Sequence, residues 1–158
     1  MPRSAPEVTA LRLLCSRDPV ELERALDAIE AHLREAGAAT DNAMQFRLVA
    51  EEIVTNIARC AWPEGETHRF TVELAAEARP EGVHVRMTTV DDGVPFDPTA
   101  QAAPDTTAAL EDRQVGGLGM LLVREMTDGQ HYAREDGRNR FSVVRFFPHA
   151  ATDDRGGD

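Results

Sequence analysis

Apolar positions recur with two different periods along this chain. From Val8 to Cys15 they run almost unbroken, as in a short buried strand. After Asp18-Pro19 the spacing widens, and Leu22, Leu26, Ile29 and Leu33 fall on one stripe of a helix. Asp18 is placed to cap that helix, Pro19 to open it, Glu21 to complete a capping box, and Gly37 to end it. A second helix is predicted from about Asp41 to Ala61, with Phe46, Val49, Ile53, Ile57 and Cys60 on its apolar stripe. "WPEGE" breaks it.

The period then shortens to two. Phe70, Val72 and Leu74 alternate with polar residues, and so do Val83, Val85, Met87 and Thr89, with "RPEG" (Arg79 to Gly82) as the hairpin turn. From Asp91 to about Val115 no period survives, and the stretch is long for a loop inside a compact domain. A third helix is expected from near Gly117 to near Asp128. Two strands, around His131 to Arg134 and Asn139 to Phe147, meet at "EDGRN". The order β-α-α-β-β-loop-α-β-β implies an α/β (α+β) two-layer sandwich, with a mixed, mostly antiparallel sheet and its helices on one face. Regular crossover helices are missing, which argues against a Rossmann arrangement. Residues 1–7 read as a flexible lead, 8–148 as one domain and 149–158 as a polar, acidic, disordered tail.

Composition narrows the chemistry. The 158 residues suit one domain. The net charge of −11 argues against general nucleic-acid binding, which depends on neutralising phosphates. All 17 basic residues are arginine and none is lysine. A Walker A loop, the strand lysine of a eukaryotic-type kinase and Schiff-base chemistry are therefore excluded. Phosphate handling here would rest on arginine, backbone N–H groups and a metal. Cys15 and Cys60 make neither a disulfide framework nor a zinc site, and the five histidines lack metal-ligand spacing. No apolar run approaches membrane-spanning length and no signal peptide is visible, so a cytoplasmic protein is the expectation.

Within the second predicted helix, "LVAEEIVTNIARCAW" sets carboxylates and an amide beside an apolar stripe. Glu52 and Asn56 are four apart and share a face. A carboxylate at a core boundary loses hydration, which favours its proton-holding form and suits a general base. An asparagine oxygen is a ligand for Mg²⁺. Equally, the pair could be a solvated helix edge. "VDDGVPFDP" stands where an alternating strand ends: Asp91 could accept from the exocyclic amine of adenine, and Gly93 would let a flat ring lie against the backbone. It could also be a plain β-turn. "VGGLGMLLV" brings Gly116, Gly117 and Gly119 to the start of an apolar helix, where exposed N–H groups favour an anion or hold nothing. Arg113, just before the glycines, is the nearest cation that could reach a terminal phosphate, and the stretch between the last two motifs is lid-length.

In this order the motifs resemble the GHKL (histidine-kinase-like) ATPase superfamily, and within it the bacterial anti-sigma-factor serine/threonine kinases of the RsbW and SpoIIAB type. "EEIVTNIARCAW" resembles the N box, "DDGVPFDP" the G1 box, and "GGLGMLLVREMTDGQHYAREDGRN" the G2 box with its following hairpin. The resemblance covers Val8 to Phe147. It implies the Bergerat ATP-binding fold, with ATP or ADP and Mg²⁺ as cofactors. It makes Glu52 the base that activates a protein serine and Asn56 the Mg²⁺ ligand, with Arg59 fitting a common arginine of the N box. It further makes Asp91 and Gly93 the adenine site, and Gly116, Gly117 and Gly119 the phosphate-holding lid hinge. The implied substrate is a STAS-domain antagonist, with a sigma factor as a possible second partner and a homodimer as the usual assembly. A module that binds nucleotide and sequesters a partner without catalysis is the alternative. A sensor histidine kinase is disfavoured, because no His-bearing dimerisation helix precedes the domain. Cys60-Ala61-Trp62 departs from the family's His-Ala-Tyr, and Cys60 is expected to pack as core.

Overall fold

The computed structural model describes residues 5–63, 68–100 and 117–150. Its elements in chain order are β1 (Glu7–Cys15), α1 (Pro19–Glu35), α2 (Thr40–Cys60), β2 (Phe70–Arg79), β3 (Gly82–Asp91), a 3₁₀ turn (Pro98–Ala100), α3 (Gly117–Met126), β4 (Gly129–Glu135) and β5 (Arg138–Pro148). The strands form one sheet in the order β1-β2-β3-β5-β4. Every pairing is antiparallel, so the expected mixture of strand directions is absent. The reason lies in the connections. Both β2–β3 and β4–β5 are tight hairpins, and β5 returns beside β3 after α3 has reversed the chain. The β4–β5 turn is Asp136-Gly137, with φ of 51° and 75°, the backbone that a two-residue hairpin demands.

The alternation in β2 and β3 drives one face of the sheet into the core. Phe70, Val72, Leu74 and Ala76 of β2 and Val83, Val85 and Met87 of β3 are buried there with Leu26, Ile29 and Leu33 of α1. From α2 come Phe46, Val49, Ile53 and Val54. Phe46, fully buried, meets Phe147 edge-to-face at 6.4 Å. Removing such a ring costs about 3–5 kcal/mol.

Local sequence signals set the helix ends. Asp18 accepts from the Val20 N–H at 2.9 Å as the N-cap of α1. The expected capping box is replaced by a relay: Asp18 N–H donates to Ser16 Oγ, which donates to Glu21 at 2.7 Å. At the other end Gly37 takes φ 100°, while Ala38 N–H reaches Leu33 O and Gly37 N–H reaches Arg34 O, the Schellman pattern. Arg47 of α2 then ties the two helices, bonding Glu23, Asp27 and Glu30 of α1.

Candidate functional site

Two elements whose ends converge form the site. The apolar face of α2 packs over the sheet, and its last two turns pass above the C-terminal end of β3. Between them opens a pocket of about 440 Å³ of empty space, counting its open mouth. Ile53, Asn56, Ile57 and Cys60 line it from α2, Thr89 and Asp91 from β3, and Asn139 and Phe141 from β5. Val94, Phe96 and Met120 close its sides. Apolar walls with a few convergent polar groups are what a flat heteroaromatic ligand needs.

Asp91 is the most constrained of the polar groups. It is 7% exposed, and its Oδ1 accepts from Gly93 N–H at 2.9 Å and from Asn139 Nδ2 at 3.0 Å. No hydrogen bond occupies Oδ2 among the described residues. Asn139 stands directly opposite Asp91 in the β3–β5 register. Its Nδ2 also donates to Val94 O, and its Oδ1 accepts from Tyr132 OH at 2.6 Å, Arg134 Nη1 at 3.0 Å and Phe96 N–H at 3.3 Å. Arg134 adds a bond to Gly93 O at 2.8 Å. The β4–β5 hairpin thus clamps the turn after β3 through one buried amide. Sequence reasoning missed Asn139, Tyr132 and Arg134. The available signal was the hairpin register, which places the residue just after "DGR" beside the end of β3.

Asp92 faces the other way. Its Oδ1 accepts from Trp62 Nε1 at 2.8 Å, and this bond, helped by His68 at 3.4 Å, holds its carboxyl below the usual carboxylate range. Trp62 stacks on His68 at 5.1 Å and is 5% exposed, so the aromatic after α2 anchors the Asp-Asp-Gly turn.

Gly93 has a different duty from the one expected. A Cβ there would collide with the backbone and Cβ of Ala61, and Val94 N–H donates to Ala61 O at 2.8 Å. The glycine lets the turn pass under the end of α2, and Gly93 does not line the pocket.

Asn56 is 8% exposed, lines the pocket, and makes no side-chain hydrogen bond to a described residue. Glu51 is exposed and Glu52 half-buried, which separates the two carboxylates as their spacing to Asn56 implied. Glu52 lies against the first turn of α3, where a Cβ on Gly119 would overlap its Oε2. Gly117 opens α3. Gly116 and Arg113 fall outside the described residues, as does most of the lid-length stretch. Arg59 is exposed in the last turn of α2 and does not line the pocket; that expected ligand is not brought to the site. Cys60 is also exposed, at the pocket rim, contrary to the expected core position. It continues the stripe of Ile53 and Ile57, but the stripe faces an open pocket there and not the sheet. Cys15 is the buried thiol, and burial pushes its pKa up to about 11.

Comparison with known proteins gives a consistent picture. The family described as "Histidine kinase-like ATPase domain" matches residues 15–145. The serine/threonine-protein kinase BtrW of Bordetella bronchiseptica is 30% identical over 97 residues, 61% of this chain and 66% of that protein, a little under two thirds of its length. The crystal structure of the SiaB–SiaC complex from Pseudomonas aeruginosa matches with a TM-score of 0.51 over 87% of this chain and 89% of that one, at 21% identity. That likeness is one of fold.

Proposed function

Because this chain belongs to the histidine kinase-like ATPase domain family, whose domain takes ATP and ADP, we infer that it is an ATP-dependent protein serine/threonine kinase of the partner-switching type. The observation that carries the reading is a pair of polar groups at one pocket, Asp91 Oδ2 and the Asn56 amide, that make no hydrogen bond to a described residue. Asp91 suits the exocyclic amine of adenine, with Ile57, Phe141 and Met120 as apolar walls for the ring. Asn56 stands on the next stretch of wall, and Glu52 one turn earlier on α2.

The residues present fit Mg²⁺. Asn56 offers a side-chain oxygen at the pocket wall with no hydrogen bond to a described residue, and no group of three or more His, Cys, Asp or Glu among the described residues could hold a metal alone. Mg²⁺ tolerates this arrangement, since it keeps waters and takes ligands from phosphates. Bound there, it would neutralise charge on the phosphates. Glu52 orients a serine hydroxyl and accepts its proton as the hydroxyl oxygen bonds to the γ-phosphorus and ADP leaves. Gly119 leaves room for that carboxylate. Gly116 and Gly117 would hold phosphates with backbone N–H groups, and Arg113 a terminal phosphate.

The substrate proposed is a serine on a STAS-domain antagonist, with a sigma factor as the alternating partner and a homodimer as the assembly. The likeness to BtrW, a serine/threonine-protein kinase, supports the chemistry. The test is transfer of labelled γ-phosphate to purified STAS-domain proteins of the same organism. Transfer by wild type and Glu51→Gln, lost in Glu52→Gln, supports the reading. ATP binding without transfer to any candidate would favour a nucleotide-dependent sequestering module.

A further inference from the structure

The sheet has two faces, and among the described residues the helices cover only one. On the other, alternation along the strands sets out Arg12 of β1, Arg86 of β3 and Arg140 of β5, all exposed. The register places them together. Arg12 is opposite Glu73, Glu73 opposite Thr88, and Thr88 opposite Ser142. Arg86 lies two residues before Thr88, and Arg140 two before Ser142. The three arginines therefore ring one shallow concavity floored by Glu73 and Thr88. Arg69 and Arg138, also exposed, extend the basic surface beyond Arg12 and Arg140.

These five arginines make no hydrogen bond or ion pair with any described residue, Glu73 included. Three other described arginines do pair with carboxylates: Arg47 with Glu23, Asp27 and Glu30, Arg79 with Glu77, and Arg145 with Asp128. In a chain of net charge −11 with 28 acidic residues, carboxylates are plentiful, yet this face sets five arginines among Glu73, Asp92 and Glu135, so positive charge is in excess there. Like charges crowded on a flat sheet repel, and an opposite charge from outside relieves that. A second copy meeting this face about a two-fold axis would set arginine against arginine, so self-association is disfavoured. A polyanion such as DNA is repelled at long range by the net charge. Val8 and Leu14 share the face with Arg12 by strand alternation, and are 60% and 54% exposed. They offer aliphatic contact that a protein surface uses.

We propose that the open face of the sheet docks an acidic partner protein, through a surface that mixes carboxylates with aliphatic side chains. The pocket and Glu52 lie on the helix side, so the docking face and the nucleotide site can be occupied together. The proposal stands whether or not the chain is a kinase.

The test is an NMR titration of the ¹⁵N-labelled full chain with a synthetic peptide alternating glutamate and leucine. A glutamine-for-glutamate peptide and a DNA duplex serve as comparisons. Amide shifts confined to β1, β2, β3 and β5, affinity that falls with salt, and weakening of about tenfold or more in Arg12→Glu/Arg140→Glu are expected, with ATP affinity unchanged. Should the reversal variant fail to fold, Arg12→Gln/Arg140→Gln takes its place, and its melting temperature is checked first. The proposal is overturned if no peptide binds, if the glutamine peptide binds as well, or if the shifts map elsewhere. It is overturned too if DNA binds more tightly than the peptide, or if the arginines prove to drive dimerisation instead.

Discussion

Gly119 and Glu52 are in contact across the α2–α3 seam, and the missing side chain of one makes room for the carboxylate of the other. The obstacle to a larger residue is the far end of a flexible side chain. In Gly119→Ala the fold should therefore accept the methyl by displacing Glu52, and alanine in a helix is up to about 1 kcal/mol better than glycine. Thermal stability should hold or rise slightly. Phosphoryl transfer should fall by roughly 10²-fold if Glu52 is the base proposed above, since a displaced base loses its geometry. Melting curves and transfer rates on the same preparation separate the two.

Gly93→Ala should behave in the opposite way. Here the obstacle is the Ala61 backbone, which cannot rotate aside. A loss of about 1–3 kcal/mol in stability is expected from overpacking, with nucleotide affinity falling alongside as Asp91 loses its bond from Gly93. Denaturant unfolding with unchanged m-value checks the first part.

The Asn139 clamp gives a specificity test. Asn139→Leu removes a donor to the buried Asp91 carboxylate and the shared acceptor of Tyr132, Arg134 and Phe96, at a cost of about 1–3 kcal/mol. Asp91 should then lose its fixed orientation. ATP affinity should fall more than affinity for the purine nucleotide that lacks the 6-amino group, as calorimetry on both ligands would show.

Much of this was legible in advance. The strand periods, both hairpins, and the Glu52–Asn56 face followed from residue spacing, because local alternation and helical stripes are set by which side must be buried. The antiparallel closure of β5 beside β3 was less legible, since strand order depends on long-range pairing. Asn139 escaped for the same reason: its role exists only once Asn139 is opposite Asp91. Cys60 misled because an apolar-looking stripe cannot say whether it faces core or pocket.

The two thiols should differ sharply. Cys15 is buried with its pKa raised to about 11, first by desolvation and then by Glu21, whereas Cys60 is exposed. At pH 8 in native buffer a thiol reagent should label Cys60 and leave Cys15 until the protein is unfolded, as mass spectrometry of peptides would report. The raised pKa also has a sign for stability. The folded state keeps its proton where the unfolded thiol has lost its own, so stability contributed by Cys15 declines as pH rises from about 9 towards 11.

Asp92 supplies the acid-side counterpart. Its folded-state pKa is depressed by the Trp62 indole bond, with His68 adding to it. The contribution is present above the unfolded carboxylate value and is lost as pH falls through the lower folded one. Wild type should therefore exceed Trp62→Phe in stability by a margin that narrows on acidification. A margin constant down to strongly acid pH would assign the difference to packing alone.

The central claim is that α2 and the end of β3 build one nucleotide site with Asp91 and Asn56 as its polar contacts. Calorimetric titration with ATP, with and without Mg²⁺, of wild type, Asp91→Asn and Asn56→Ala tests it most directly. Wild-type binding that Mg²⁺ strengthens, weakening in Asp91→Asn under both conditions, and loss of the Mg²⁺ enhancement in Asn56→Ala are the expected results. Equal binding by all three proteins, or none by wild type, would contradict it.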